Sequence, residues 1–284
     1  MGSFLDENSF DELINYDCDV YDVSGILLAK FRKNILSKER LIDCVENTRS
    51  SIKPTDNRGV ASGKVSIKKM AVKEAGIIEN FRLRHLKKDG TISKFKLGNQ
   101  VQSGLIGFMD RTVISPYCRK TAFTKNEFEK FEKAIPFVQE VNNKFKELIP
   151  GKWKIQNEYA KATNKNYIIK DTCFTTVTIN KDFQTAVHKD AGDLKKGFGN
   201  LTSYKTEGLK GGYFVLPEWR IAFDLCSCDL LLVDVHQWHG NTPIEKESEE
   251  DERISFVMYY REKTIKCLAP KDELERAKRA NNKT

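Results

Sequence analysis

The sequence predicts an α+β fold whose C-terminal half forms an antiparallel double-sheet barrel, or jelly roll, with flanking helices mostly from the N-terminal half. Helical patterning comes first along the chain. From about residue 172 it gives way to short apolar strands separated by glycine and aspartate turns. Strands that follow helices, rather than alternating with them, favour this class over a parallel α/β sheet.

The clearest helical segment covers residues 124–150. Thr124 followed by Glu127 is a reciprocal N-cap pattern, in which the hydroxyl and the carboxylate each accept a backbone N–H of the first turn. Apolar residues then recur at helical spacing. Pro136 is expected to kink or restart the helix, and Pro150-Gly151 is expected to stop it.

Four apolar segments predict the strands of the barrel: TCFTTVTIN, GGYFVLP, LLLVDV and RISFVMYY. The expected organisation is one domain over residues 1–270, followed by a polar helix or frayed tail at 271–284. Within that domain we expect a helical and basic region at 1–123, support helices at 124–150 and the jelly-roll catalytic core at 172–262.

Positive charge is concentrated in one stretch of the chain. The formal net charge is +8, and residues 51–100 alone contain twelve basic residues and four acids. A localised cationic region attracts phosphate backbones or acidic partners. A solvated basic surface explains the same charge equally well.

Several classes of protein are disfavoured by composition. No apolar run approaches the roughly 18 to 20 residues of a membrane helix, and the acidic N-terminus is unlike a secretion signal. The seven cysteines form no CxxC pair and no zinc spacing, so reduced, mostly buried thiols are expected. We therefore expect a soluble intracellular protein of the cytoplasm or nucleus, without a membrane partner, and a viral or phage origin stays open.

Three side chains form a candidate metal site. His188 and Asp190 make an HxD motif, and alternation at the end of a strand would place both on one face. His239 follows the apolar segment LLLVDV, 49 residues after Asp190. Two histidines and one carboxylate form a facial triad, which leaves three positions open on ferrous iron for a bidentate oxo-acid and dioxygen.

An anion-binding pair strengthens this interpretation, because an HxD motif alone is weak. Arg253 lies 14 residues after His239, at the start of the strand RISFVMYY, and Ser255 shares its face. A guanidinium binds a carboxylate in bidentate fashion, and the hydroxyl adds a donor. The full pattern predicts a dioxygenase that uses Fe(II), 2-oxoglutarate and O2.

The segments TVTINKDFQTAVHKDAGDLKKGFG, GGYFVLPEWRIAFDLCSCDLLLVDVHQWHGNTPI and RISFVMYYRE resemble the TET/JBP family of nucleic-acid-modifying dioxygenases. The resemblance covers roughly residues 172–262 and is weaker upstream. It implies that His188, Asp190 and His239 bind iron and that Arg253 holds 2-oxoglutarate. The HxDxxD shape is more similar to the base-J, phage and algal branches than to the animal enzymes. The likeness to the algal branch implies ascorbate as a further possibility, either as a reductant or as a cosubstrate in place of 2-oxoglutarate.

The resemblance implies DNA as partner and the 5-methyl group of a pyrimidine, either 5-methylcytosine or thymine, as substrate. Such a base would have to be flipped out of the duplex. Alternatives are a dioxygenase of the same fold acting on a protein side chain or small molecule, and a non-catalytic nucleic-acid-binding relative. Oligomeric state is left open. One candidate substrate contact is Asp193, which is expected to be a turn residue or a neighbour of the metal ligands rather than a fourth ligand. The others, each with a structural explanation about as good, are Arg111, Arg119, Lys120, Tyr117 and Phe123.

Overall fold

The computed structural model describes residues 1–65, 76–79, 82–85, 89–92 and 98–281, with backbone only at 76–79 and 82–85. The α-helices are α1 (Lys38–Thr48), α2 (Ala122–Asn126), α3 (Phe128–Leu148), α4 (Pro150–Ala162) and α5 (Pro270–Asn281). The first strands are β1 (Glu12–Ile14), β2 (Cys18–Tyr21), β3 (Leu27–Arg32), β4 (Lys53–Thr55), β5 (Gly76–Glu79), β6 (Arg82–His85), β7 (Val101–Met109) and β8 (Arg119–Lys120). The remaining strands are β9 (Thr176–Lys181), β10 (Gly199–Lys205), β11 (Leu209–Gly211), β12 (Phe214–Leu216), β13 (Ile221–Phe223), β14 (Leu230–Val233), β15 (Gly240–Asn241), β16 (Ile244–Lys246) and β17 (Arg253–Tyr259).

Two sheets form the centre of the fold. The main sheet is antiparallel and has the order β2-β3-β14-β10-β17-β9-β7-β4, with β8 paired to β7. The second sheet has the order β1-β13-β12-β15, and only its β1-β13 pair is parallel. The predicted α+β jelly roll is confirmed. No helix of the described residues is long and apolar enough to cross a membrane.

Alternation along the strands separates the core from the functional cavity. Even-numbered residues of β17, such as Phe256, are buried against helix residues in the larger apolar cluster. The odd-numbered side chains of Arg253–Tyr259 instead line a cavity, and Thr178 and Asn180 of β9 lie beside them. One strand face therefore stabilises the fold while the other carries polar groups.

The smaller apolar cluster joins the two sheets. Phe31 of the main sheet packs edge-on against Phe223 of the second sheet, with ring centroids 5.6 Å apart. Strand β14 is buried on both faces, since Leu230 packs on the helix side and Leu231 packs between the sheets. Burial on both faces explains the continuous apolar sequence of this strand. Each such side chain contributes about 1.5 to 3 kcal/mol on burial.

The expected helical character of residues 1–123 is wrong. Up to residue 121 the described residues contain eight strands and one α-helix. These strands complete the C-terminal sheets: β3 pairs with β14, β1 with β13, and β7 with β9. Backbone N–H and C=O groups at a buried sheet edge need partners, and the N-terminal segments supply them.

The basic stretch is described only in part. Lys53, Arg58 and Lys64 lie within the described residues, whereas the side chains of the other nine basic residues between 51 and 100 lie outside them. The predicted cationic surface as a whole therefore stays a prediction.

The predicted helix start at Thr124 is also wrong. The N-cap is Thr121, whose hydroxyl accepts the Thr124 N–H at 3.2 Å. The Thr124 hydroxyl instead accepts the backbone N–H of Gly107 at 2.8 Å. Helix α3 runs through Pro136, and Pro150 occupies the first turn of α4, where its missing N–H costs little.

Residues 271–281 belong to helix α5, so the C-terminal segment is a helix and not a frayed tail in this range. Glu273 of α5 is buried, pairs with Arg111 and accepts the Cys118 N–H at 2.8 Å. Beside this contact a disulfide joins Cys118 to Cys267. The expectation that all seven cysteines are reduced is therefore wrong, because a tertiary contact brings together two cysteines 149 residues apart.

Candidate metal centre and anion-binding cavity

The backbone itself brings the two candidate histidine ligands together. His188 donates its N–H to the carbonyl of His239 at 2.9 Å, and His239 donates back at 3.0 Å, which forms an isolated antiparallel bridge. Strand β9 ends at Lys181, so the HxD motif does not lie at the end of a strand as expected. The reciprocal bridge places the two imidazoles 4.3 Å apart between ring centroids.

Asp190 lies close to both imidazoles. Its carboxylate oxygens are 3.5 Å from His188 Nε2 and 3.9 Å from His239 Nε2. One ligand atom from each of the three residues lies within 4.8 Å of the others. This is close enough for a single metal ion to contact all three.

Hydrogen bonds fix which ring nitrogen faces the metal position. His188 Nδ1 lies 2.8 Å from the carbonyl of Ala186, and His239 Nδ1 lies 2.9 Å from the carbonyl of Gln237. A carbonyl oxygen can only accept, so each Nδ1 carries the proton. Both Nε2 lone pairs are then free to bind a metal, and the carbonyls hold the rings in orientation. The ring of Phe214 stacks on His239 at 5.3 Å and restricts it further.

The electrostatics of the cluster suit a divalent cation. Burial lowers the pKa of His239 to about 4, so this imidazole is neutral near pH 7. Burial acts in the same direction on His188, but the hydrogen bond and charge of Asp190 outweigh it and raise the pKa of His188. Burial disfavours the Asp190 carboxylate, yet both imidazoles lower its pKa overall. Two imidazoles and one carboxylate match the donor set of ferrous oxygenases.

A buried cation lies in the same cavity as the metal cluster. Arg253 is 4% exposed, and its guanidinium has no hydrogen bond or ion pair to any described residue. Burial lowers the pKa of Arg253 to about 10, so it stays charged at neutral pH. Ser255 lines the cavity from the same strand face. A buried charge without a partner is costly, so this end of the cavity is suited to binding an anion.

Gly212 makes room for this arginine. Its φ is +67°, a conformation that favours glycine, and an added Cβ would lie 3.2 Å from Cδ and 3.4 Å from Nε of Arg253. The cavity has a volume of about 330 Å³ and contains both the three ligands and the arginine. That is enough for a small dicarboxylate and part of a second ligand.

The segment of the chain that carries this site is similar in sequence to known proteins. Residues 108–262, more than half of the chain, match Tet_JBP, the oxygenase domain of the 2OGFeDO superfamily. The chain belongs to the Tet_JBP family. Thymine dioxygenase JBP1 of Trypanosoma brucei brucei is 33% identical over 168 residues, which are 58% of this chain and 20% of that protein. The bifunctional helicase and thymine dioxygenase JBP2 of Leishmania tarentolae is 30% identical over 182 residues, covering 63% and 16% respectively. The chain thus spans a fifth or less of the length of these relatives.

A solved structure of NgTET1 in complex with 5mC DNA has the same fold. Its TM-score is 0.60 at 15% identity, and the alignment covers 94% of this chain and 86% of that one. The superfamily of the Tet_JBP domain uses Fe(II), 2-oxoglutarate and O2. The donor set of His188, Asp190 and His239 fits the metal, and the unpaired guanidinium of Arg253 fits a carboxylate of the cosubstrate.

Asp193 lines the cavity of this Tet_JBP domain but is not one of the three clustered ligands. Its Oδ2 is buried without a hydrogen-bond partner among the described residues. Burial and the nearby Asp190 raise the pKa of Asp193 well above its usual range, and Arg261 opposes them. A buried carboxyl oxygen without a described hydrogen-bond partner therefore lies in the wall of the cavity.

The other candidate substrate contacts differ in their surroundings. Arg111 is committed to the buried Glu273, which corrects the expectation of a nucleotide contact. Phe123 is 7% exposed and packs in the apolar core, so the stacking of its ring on a base stays a prediction. Tyr117 is half-buried, and the Arg119 guanidinium lies 5.8 Å from its ring.

Further cavity residues were not anticipated. Tyr259 and Arg261 line the cavity, and both continue the odd-numbered alternation that begins at Arg253. The alternation along the sequence was therefore a signal from which Tyr259 and Arg261 could have been predicted. Arg58 also lines the cavity, but it comes from the basic stretch far upstream and has no local pattern. A tertiary contact alone places it there.

Proposed function

We propose that this chain is an Fe(II)/2-oxoglutarate-dependent dioxygenase that hydroxylates the 5-methyl group of a pyrimidine, 5-methylcytosine or thymine, in DNA. The observation that carries the proposal is the partly buried cluster of His188, Asp190 and His239, which shares one cavity with the unpaired Arg253. Membership of the Tet_JBP family supports it, as do the related thymine dioxygenases.

The residues divide the work of the reaction. His188, Asp190 and His239 would hold the iron, which with 2-oxoglutarate and dioxygen supplies the oxidising power to hydroxylate a C–H bond. Arg253 would hold the distal carboxylate of 2-oxoglutarate through paired hydrogen bonds, and the Ser255 hydroxyl would add one more. The chain's contribution is to orient these partners within one cavity.

Substrate recognition is assigned to Asp193, which lines the same cavity. Asp193 presents an unpartnered, buried carboxyl group, which can exchange hydrogen bonds with the polar edge of a flipped base. A base lacking the complementary group would leave Asp193 unsatisfied, so this residue would favour some pyrimidines over others. Tyr117, Arg119 and Lys120 are proposed to contact the DNA outside the metal cavity.

Nucleoside analysis tests the proposal. The protein is incubated with Fe(II), 2-oxoglutarate and duplexes containing 5-methylcytosine or thymine, and the digested DNA is examined by mass spectrometry. One pyrimidine is expected to gain one oxygen atom, and His188→Ala is expected to form no product. Lys161→Gln, on the exposed surface of α4, is the control and should behave as wild type.

Other outcomes of this assay would contradict the proposal or change its substrate or cosubstrate. Unchanged bases with the wild-type protein would contradict it. Succinate release stimulated by a peptide or metabolite, but not by DNA, would assign the same chemistry to a different substrate. If product formed with ascorbate in the absence of 2-oxoglutarate, ascorbate would be the cosubstrate.

A further inference from the structure

A second cavity lies beside the metal cavity. It has a volume of about 500 Å³ and forms between β4, the middle of β7 and the segment 119–127. Asn57 and Arg58 line both cavities. The two cavities are therefore neighbours across these two residues.

The second cavity is strongly cationic. Four basic residues line it: Lys53, Arg58, Arg119 and Lys120. None of the four has a carboxylate within 4 Å in the part of the chain that the structure describes. The one acid in the lining, Glu127, is already held by Lys130 at 2.5 Å and by the Ser50 hydroxyl at 2.8 Å. The surplus positive charge therefore has no carboxylate partner among the described residues. Arg119 contacts carbonyl oxygens instead, and Lys120 contacts the Phe128 ring.

Two buried donors in this wall also lack acceptors. Arg58 donates to the carbonyl of Gly104 at 3.1 Å, but its Nε has no partner among the described residues. The Ser51 hydroxyl is 9% exposed and is likewise without a described partner. Buried donors are normally satisfied, so both groups indicate a ligand that carries acceptor oxygens.

We propose that this cavity binds the phosphate and sugar of the nucleotide next to the oxidised pyrimidine on the same DNA strand. This inference rests on the function proposed above. The cavity is larger than a lone phosphate needs and lies in the range of nucleotide-sized ligands. Its wall is shared with the cavity that would receive the flipped base, which is the position a covalently linked neighbour must take. Cationic and hydroxyl donors to a phosphodiester fix the position of the strand without reading its sequence.

Calorimetric titration with short, unlabelled nucleotides tests the inference without relying on turnover. Thymidine is compared with two dinucleotides that extend it by one nucleotide on the 5′ or the 3′ side. One of the two dinucleotides is expected to bind about ten-fold more tightly than thymidine. An abasic neighbour should retain most of that gain, since the contacts go to phosphate and sugar.

The double variant Arg119→Gln/Lys120→Gln is expected to lose the gain while its affinity for thymidine, which has no phosphate, stays within about two-fold of wild type. Lys161→Gln/Arg276→Gln removes the same charge from exposed helix positions and should keep the gain. If the double variant unfolds, Lys120→Gln and the salt dependence of the wild-type gain replace it, because phosphate contacts weaken as salt rises.

The inference is overturned if neither dinucleotide gains affinity, or if the double variant keeps the gain. Failure of the proposed function would give a different result: the wild-type protein would oxidise no pyrimidine in any DNA, whatever the binding measurements give.

Discussion

Replacing Arg253 should weaken 2-oxoglutarate binding by an amount that its surroundings define. The guanidinium is buried and has no described partner, so a bound carboxylate would be its main counter-ion. Each hydrogen bond to a charged group contributes about 1.5 to 3 kcal/mol. Arg253→Lys keeps the charge but loses the paired geometry, which predicts roughly 10- to 100-fold weaker binding. Arg253→Gln loses the charge as well and should exceed about 1000-fold.

The assay is calorimetric titration of 2-oxoglutarate under anaerobic conditions, with Mn(II) in place of Fe(II). Ser255→Ala removes one neutral donor and should cost about 0.5 to 1.5 kcal/mol, or roughly 2- to 10-fold in affinity. Metal affinity should be the same in all variants, because neither residue belongs to the ligand cluster. If Arg253→Gln bound 2-oxoglutarate within two-fold of wild type, this assignment of the anion site would be refuted.

Three further predictions concern stability. Gly212→Ala should destabilise the fold by about 1 to 2 kcal/mol and weaken 2-oxoglutarate binding, because the new Cβ meets Arg253 and a positive φ is retained; urea unfolding and titration measure both effects. Glu273→Ala removes the buried anchor of α5 and should cost about 3 kcal/mol in urea unfolding, whereas a loss below about 0.5 kcal/mol would contradict the anchor. Hydrogen bonding to Arg49 lowers the pKa of Glu252 to about 2, so its stabilisation is complete above about pH 4.5 and is lost as pH falls toward 2. Glu252→Gln should therefore be about 2 kcal/mol less stable at pH 7 and equal to wild type near pH 2, and a constant difference would count against this explanation.

The metal cluster was predictable because its residues carry the pattern themselves. Type and order alone indicated His188, Asp190 and His239, since two imidazoles and a carboxylate are a recognisable donor set. The two-residue alternation also placed Arg253 and Ser255 on one strand face, where the structure has them. The sequence did not indicate the backbone bridge that joins the two histidine segments, because hydrogen bonds between distant main-chain groups leave no local pattern.

The errors arose where a distant contact overrides a local preference. Thr121 and Thr124 can both cap a helix, but Thr124 is taken by a hydrogen bond from Gly107. The N-terminal strands form because the C-terminal sheets need partners at their edges. The Cys118–Cys267 pairing follows from the docking of α5 and not from cysteine spacing.

The most direct test of the account is the location of a bound divalent metal. Crystals grown without oxygen in Mn(II) and 2-oxoglutarate would show the ion by its anomalous scattering. One strong peak is expected within about 2.3 Å of His188 Nε2, an Asp190 oxygen and His239 Nε2. A strong peak elsewhere in the chain, or one that contacts the HxD pair while His239 points away, would contradict it.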